Sequence, residues 1–292
     1  MNPAIPIMLL TQFIWGLAPV FVRDLSLALG PEDAIIARYS IVSIVFLSLL
    51  ITAKRKHVAR KDWLRLGLAS FIGIFGYNVF SSNGFAHVGA GLGGLIIGTQ
   101  PLIIAIMGAI FAREPLTRQA LLGLAIAFAG ITLIFWKDLA QGNLGLISGA
   151  IMIFCAGLCW AIYVMISRPL IREYGTLAIT AWITILAAPM MWALADDQTL
   201  FHFQNIDTKL LFALLYMALL SNFVAGLCWN YASARLSASV AGAFIYLVPV
   251  IAVIAGALMR DEIITMQMLA GGGLVLSGVA LTQQAKPKEK PL

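Results

Sequence analysis

A chain of 292 residues that is 61% hydrophobic and 11% charged is no ordinary soluble domain, in which about a quarter of residues carry charge. The deficit of charge runs along the whole length, so the apolar material is the body of the protein. Its formal charge of +6 is scattered among polar connections rather than clustered with aromatics, which argues against a nucleic-acid-binding face.

Apolar windows of roughly 20 residues, enough to cross a bilayer as a helix, recur along the chain. They are continuous rather than alternating, and in lipid only helices or closed barrels satisfy the backbone. The expected class is therefore an all-α polytopic membrane protein with ten transmembrane helices. In chain order the predicted spans are 4–22, 34–53, 64–83, 89–112, 119–136, 146–167, 176–195, 210–231, 237–259 and 266–283. The first lacks a basic start and is long enough to remain as a span, so no cleavable signal peptide is expected. Polar stretches such as "RDLSLALGPED", "KRKHVARKD" and "ADDQTLFHFQNIDTK" separate the spans, and none is long enough for a soluble domain. With the N-terminus inside, 14 of the 19 Lys and Arg residues fall on the same side, and only Arg23, Lys137, Lys209 and Arg260 fall outside. The positive-inside rule then places both termini in the cytoplasm.

Two charged clusters interrupt this pattern: "AREPLTRQALLG" at 112–123 and "MRDEIITMQMLAGG" at 259–272. A shift of 148 positions superimposes them. Residues 97–130 and 245–278 share twelve identities in 34 positions, among them Pro101/Pro249, Glu114/Glu262, Gln119/Gln267, Gly123/Gly271 and Gly130/Gly278. The earlier helices match more loosely, with Trp15 meeting Trp160. The chain divides into a first repeat (1–141), a second repeat (142–285) and a basic cytoplasmic tail (286–292). Five spans per repeat is an odd number, so the second repeat is expected upside down relative to the first. Inverted repeats are a signature of secondary transporters, with the substrate near the midplane between them.

The motifs "REPLTRQALLGLAIAFAG" and "RDEIITMQMLAGGGLVLSG", with Arg38 early in the second span, resemble the EamA-type transporters of the drug/metabolite transporter superfamily. Within that superfamily the chain is most similar to bacterial aromatic amino-acid exporters. The resemblance implies a ten-helix carrier of the bacterial inner membrane that moves small polar or amphipathic metabolites outward. The second cluster departs from the pattern at Ile263, where the first has Pro115.

No Asp or Glu falls in the middle of a predicted span, which disfavours a carboxylate proton relay and points to uncoupled, facilitated efflux. Arg38 has two readings. It either attracts a substrate carboxylate or snorkels as an anchor near the outer interface. Uncharged polar and aromatic residues inside spans are candidate substrate contacts: Trp15, Tyr77, Asn78, Ser81, Gln100, Trp160, Tyr163, Asn230 and Tyr246. Helix bridging is the competing role of the amides. Tyr77, Asn78, Ser81 and Ser82 share one stripe of a helix, and Asn222 and Trp229 accompany Asn230. Pro101 and Pro249 are expected to bend their helices and to serve gating, since proline frees a backbone carbonyl.

Cys155, Cys159 and Cys228 lie in apolar runs with no His or acid nearby, so they read as packing residues and no metal is expected. "GAGLGGLIIG" lacks the Gly-Lys-Ser/Thr ending of a phosphate loop, so no ATP or other cofactor is expected. No cluster of acids, histidines or a nucleophile dyad supports an integral-membrane enzyme. The expected partners are an amino-acid-like solute and membrane lipids, with no nucleic acid, in a monomer or weak dimer. Carriers of cationic drugs or of nucleotide sugars are the alternatives on the same architecture. An anionic nucleotide sugar would want several basic residues facing the cavity, and Arg38 is the single candidate.

Overall fold

The computed structural model describes residues 3–52, 57–111, 118–236 and 244–284. Arg113, Glu114 and Pro115 of the first charged cluster, the start of the predicted span at 237 and the basic tail lie outside these residues. Every regular element among them is helical. In chain order they are α1 (Ala4–Leu29), α2 (Pro31–Thr52), α3 (Arg60–His87), α4 (Ala90–Ile97), α5 (Gln100–Phe111), α6 (Arg118–Gln141), α7 (Leu144–Tyr174), α8 (Thr176–Trp192), a short α9 (Thr199–Gln204), α10 (Thr208–Ser233), α11 (Leu247–Arg260) and α12 (Met266–Gln284). Five of them, α1, α2, α3, α7 and α10, are long and apolar enough to cross a membrane, and five further apolar segments are shorter.

Several boundaries differ from the sequence expectation for local reasons. Helix α1 continues through Asp24 to Leu29 and stops at Gly30, whose φ of 85° closes the helix. Gly175, with φ of 91°, ends α7 in the same way. A left-handed backbone at these positions favours glycine because no Cβ clashes. Asn143 and Asp207 start α7 and α10 by accepting from the backbone N–H of Leu146 and Leu210, the side-chain capping that orphan helix donors require. The predicted span 89–112 is two helices: the chain leaves helical geometry at Gly98–Thr99 between α4 and α5. The second repeat breaks similarly at Ile245–Tyr246, just before α11.

Matching irregularities recur in both halves. Residues Ala69–Gly76 of α3 and Tyr216–Ala225 of α10 are wound as π-helix, a form that is rare and concentrates at functional sites. They fall at equivalent places under the 148-residue shift. The two breaks before Pro101 and Pro249 fall within one residue of such equivalence. Each proline then lies in the first turn of the new helix, where its missing N–H leaves no bond unmade.

Helices α6 and α12 cross where glycine meets glycine. A Cβ built on Gly130 would lie 2.6 Å from the carbonyl oxygen of Gly271, and one on Gly123 would lie 2.4 Å from that of Gly278. Because rising numbers on α6 meet falling numbers on α12, the two helices run antiparallel. Helices α4 and α11 approach similarly, with Gly94 against Ala252 and Gly98 against Pro249. Such backbone proximity is how helices associate in lipid, where the hydrophobic effect gives no drive.

The segment Arg260–Glu262 knits one end of the bundle. Arg260 pairs with Asp24 of α1. Asp261 takes a left-handed conformation, φ 52°, that ends α11 and is tolerated by Asp better than by most side chains. The turn points Glu262 at the start of α4, where its carboxylate accepts from the backbone N–H of Ala90 at 2.7 Å and of Gly91 at 2.9 Å. At the same end Arg23 donates to the carbonyl of Val88, and buried Asp33 accepts from Thr199 and contacts His202 of α9. At the opposite end Asp62 accepts from the hydroxyl of Tyr174.

Gly130→Ala forces a methyl onto the Gly271 carbonyl and should cost about 1–3 kcal/mol, the range for overpacking, whereas Gly273→Ala, which meets open space, should be near neutral. Thermal unfolding of both variants in detergent checks this difference.

Candidate functional site

The helices enclose a central cavity of about 120 Å³, lined by residues from both halves of the chain. A single water needs roughly 10–15 Å³ on this scale, so the space holds about ten water-sized groups, close to the heavy-atom count of a phenylalanine. Of the residues singled out in the sequence, Trp15, Arg38, Tyr77, Asn78, Ser81, Gln100, Trp160, Tyr163 and Asn230 all line it. Asn222 and Trp229 line it too.

Tyr246 does not line it. The break at Ile245–Tyr246 turns Ile245 and Val248 toward the cavity instead, and the buried Tyr246 hydroxyl has no hydrogen-bond partner among the described residues. Pro101 and Pro249 are likewise absent from the lining. Gln12, Tyr39, Thr180, Thr184 and Ser221 are lining residues the sequence reading passed over. Gln12 was legible as a lone amide within an apolar run. Thr180 and Thr184 were legible as a pair at helical spacing in an otherwise apolar span.

One wall of the cavity is aromatic. Trp160 of α7 is its centre, with ring centroids 5.4 Å from Trp15, 5.7 Å from Tyr77, 5.0 Å from Tyr163 and 6.0 Å from Trp229. These separations match favourable edge and offset arrangements, which add to simple burial. Trp15 is fixed by donating its indole N–H to the carbonyl of Ser221 at 3.2 Å. That carbonyl lies in the π-wound part of α10, where irregular winding leaves backbone oxygens available. Tyr163 packs on Gly73 in the π-wound part of α3; a Cβ there would lie 2.5 Å from that of Tyr163. The π segments thus set the positions of two of the rings.

The other wall is polar. Asn230 donates to Thr180 at 2.7 Å and to the Tyr163 hydroxyl at 3.0 Å, joining α10, α8 and α7. Asn78 donates to the Tyr39 hydroxyl and to the carbonyl of Ile74, both at 2.8 Å. Arg38 is 2% exposed. Its Nε donates to the carbonyl of Ala34 at 3.0 Å, and its Nη2 donates to Ser82 at 3.0 Å and to Asn78 at 3.4 Å. The guanidinium is therefore held inside the bundle, with neutral partners, and contributes to the cavity wall. Ser82 supports Arg38 from behind rather than lining the cavity.

No group of three or more metal-binding side chains occurs among the described residues. Among the described residues, no Asp or Glu lines the cavity. The arrangement is suited to holding a small amphipathic solute by stacking and hydrogen bonding.

A bundle of apolar helices around such a cavity defines a multi-pass membrane protein of the carrier type. The EamA-like transporter family matches the chain twice, over residues 2–136 and 147–283, and the chain belongs to that family. Among similar proteins is an uncharacterized transporter of Archaeoglobus fulgidus, 26% identical over 94% of this chain and 96% of the relative. Another is YyaM of Bacillus subtilis, also an uncharacterized transporter, 27% identical over 86% and 83%. A third, 25% identical over 96% and 93%, is named "Probable terminal-alkyne amino-acid exporter" in Streptantibioticus cattleyicolor. A solved crystal structure aligns over 96% of each chain with a TM-score of 0.64 at 16% identity, a likeness of fold alone.

Asn230→Leu removes the link between Tyr163 and Thr180 and leaves both hydroxyls without it. A loss of about 1–3 kcal/mol in stability is expected, with a matching fall in any ligand-induced quenching of tryptophan fluorescence.

Proposed function

We propose that the protein exports amino acids, aromatic ones first, and related small metabolites across the bacterial inner membrane by alternating access. In this reading ten helices span the bilayer with both termini cytoplasmic. Residues 1–141 and 142–285 are inverted five-helix repeats, and the working unit is a monomer or weak dimer. Support for inversion comes from the antiparallel crossing of α6 and α12 at equivalent glycines, from the paired π segments and from the twofold family match. Two pseudo-equivalent halves around one cavity can exchange inward- and outward-facing shapes. The breaks before Pro101 and Pro249 are where the helices would flex.

The observation that carries the substrate assignment is the cavity itself: an aromatic cluster centred on Trp160 beside neutral polar side chains, with a single cation among the described lining residues. A relative named "Probable terminal-alkyne amino-acid exporter" agrees with the amino-acid part of the assignment. Cationic solutes would gain from the tryptophan faces but would meet buried Arg38. The absence of acids along the lining favours efflux without proton coupling.

Reconstituted liposomes loaded with labelled Phe, Trp or Thr test the proposal. Protein-dependent efflux of at least one is expected, and Trp160→Ala should slow aromatic efflux about five- to tenfold, the worth of one lost ring contact. No efflux of any amino acid sinks the substrate assignment. Acceleration by an imposed pH gradient at clamped voltage sinks the uncoupled mechanism.

A further inference from the structure

Resting on that carrier reading, we infer that the cavity selects N-acylated aromatic amino acids, which are carboxylate monoanions, over the free zwitterions, with Arg38 as the carboxylate anchor. The guanidinium is buried, and a buried charge in a membrane protein is costly unless an opposite charge or a full set of hydrogen bonds answers it. Its partners are the Ala34 carbonyl, Ser82 and Asn78, all neutral, and it makes none of the salt bridges found among the described residues. Nε and Nη2 are already engaged, and Nη1 takes part in none of these bonds, so its two N–H groups are left for a ligand. A carboxylate is a small anion that accepts such charge-assisted hydrogen bonds.

The remaining polar groups fit an amide better than an ammonium. With no Asp or Glu among the described lining residues, an α-ammonium would shed its water and find no counter-charge there, a desolvation that neutral acceptors only partly offset. Gln12 and Asn222 both line the cavity, and each carries a buried amide atom, Oε1 and Nδ2, with no hydrogen-bond partner among the described residues. A side-chain amide turned toward the cavity offers an acceptor or a donor, so this pair can answer an amide N–H and its acyl carbonyl. The side-chain ring then stacks at Trp160.

The charge has a consequence for energetics. A monoanion bound to Arg38 is a neutral pair, and an uncoupled carrier moves one net negative charge outward per cycle. An inside-negative potential of 100 mV then drives its distribution by roughly 50-fold. A zwitterion feels no such force.

The test uses the full chain in proteoliposomes with N-acetylphenylalanine, phenylalanine and phenethylamine. Binding is read by tryptophan fluorescence and flux by radiolabel under a potassium diffusion potential. N-Acetylphenylalanine should bind about tenfold or more tighter than phenylalanine, the scale of one unanswered charge, and phenethylamine should not compete. Its steady-state distribution should follow voltage by about 50-fold per 100 mV, while that of phenylalanine stays flat. Arg38→Gln should abolish the preference, and Arg38→Lys, which keeps the charge but not the fork, should retain its direction. If Arg38→Gln does not fold, the ligand ranking, the voltage response and Arg38→Lys decide. Phenylalanine binding as tightly as its N-acetyl form, or a voltage-independent distribution of the anion, overturns this inference while leaving the exporter reading intact. Protein-dependent flux of none of these ligands, nor of Trp or Thr, overturns both.

Discussion

In hydrocarbon there is no water to satisfy a backbone group that a broken helix leaves open, and the rest of this fold follows from that constraint. Each departure from regular α-helix has its own cover. The start of α4 would present orphan N–H groups, and Glu262 arrives from the other half of the chain to accept from Ala90 and Gly91. The π-wound stretch of α10 frees the Ser221 carbonyl, and the Trp15 indole takes it. The prolines fall in the first turn of a new helix, where a missing donor costs nothing. Irregular backbone is thereby confined to places that are capped, packed or facing the cavity.

The same logic explains why the cavity is where it is. Winding changes in α3 and α10 occur at equivalent positions of the two halves, and the aromatic wall is attached to them. Gly73 makes room for Tyr163, and Ser221 fixes Trp15. The polar wall joins α2 to α3 through Arg38, Asn78 and Ser82, and α7, α8 and α10 through Asn230. A substrate held between these walls would touch both repeats. In the proposed alternating-access cycle, rocking one half against the other would change access to the site without taking it apart.

The charged cluster at 259–272 shows how one motif divides into separate tasks. Arg260 pairs across to α1, Asp261 supplies the left-handed turn, and Glu262 caps α4. Ile263 stands where the first copy has proline; here Asp261 makes the turn, so no proline is needed. None of these groups is among the residues lining the cavity. The cluster closes one end of the bundle and takes no part in the cavity lining.

Composition and hydropathy determined that this chain is a helical membrane protein, because a charge-poor sequence of long apolar runs has no other way to satisfy its backbone in lipid. The 148-residue shift was equally legible, since identities at Pro, Glu, Gln and Gly are not produced by apolar composition. Most cavity residues could be read as polar or aromatic interruptions of apolar runs, as with Tyr77, Gln100, Trp160 and Asn230. What only the tertiary structure decided is which interruptions converge. Tyr246 and Gln100 look alike on paper, yet the turn at Ile245–Tyr246 swings one out of the lining. Arg38 reads from sequence more readily as an interfacial anchor, and its place inside is fixed by Asn78 and Ser82, forty and forty-four residues away. The pairing of Glu262 with α4 spans more than 170 residues. Local sequence sets helix and polarity through neighbours a few residues apart, whereas helix rotation and partner choice depend on packing across the chain.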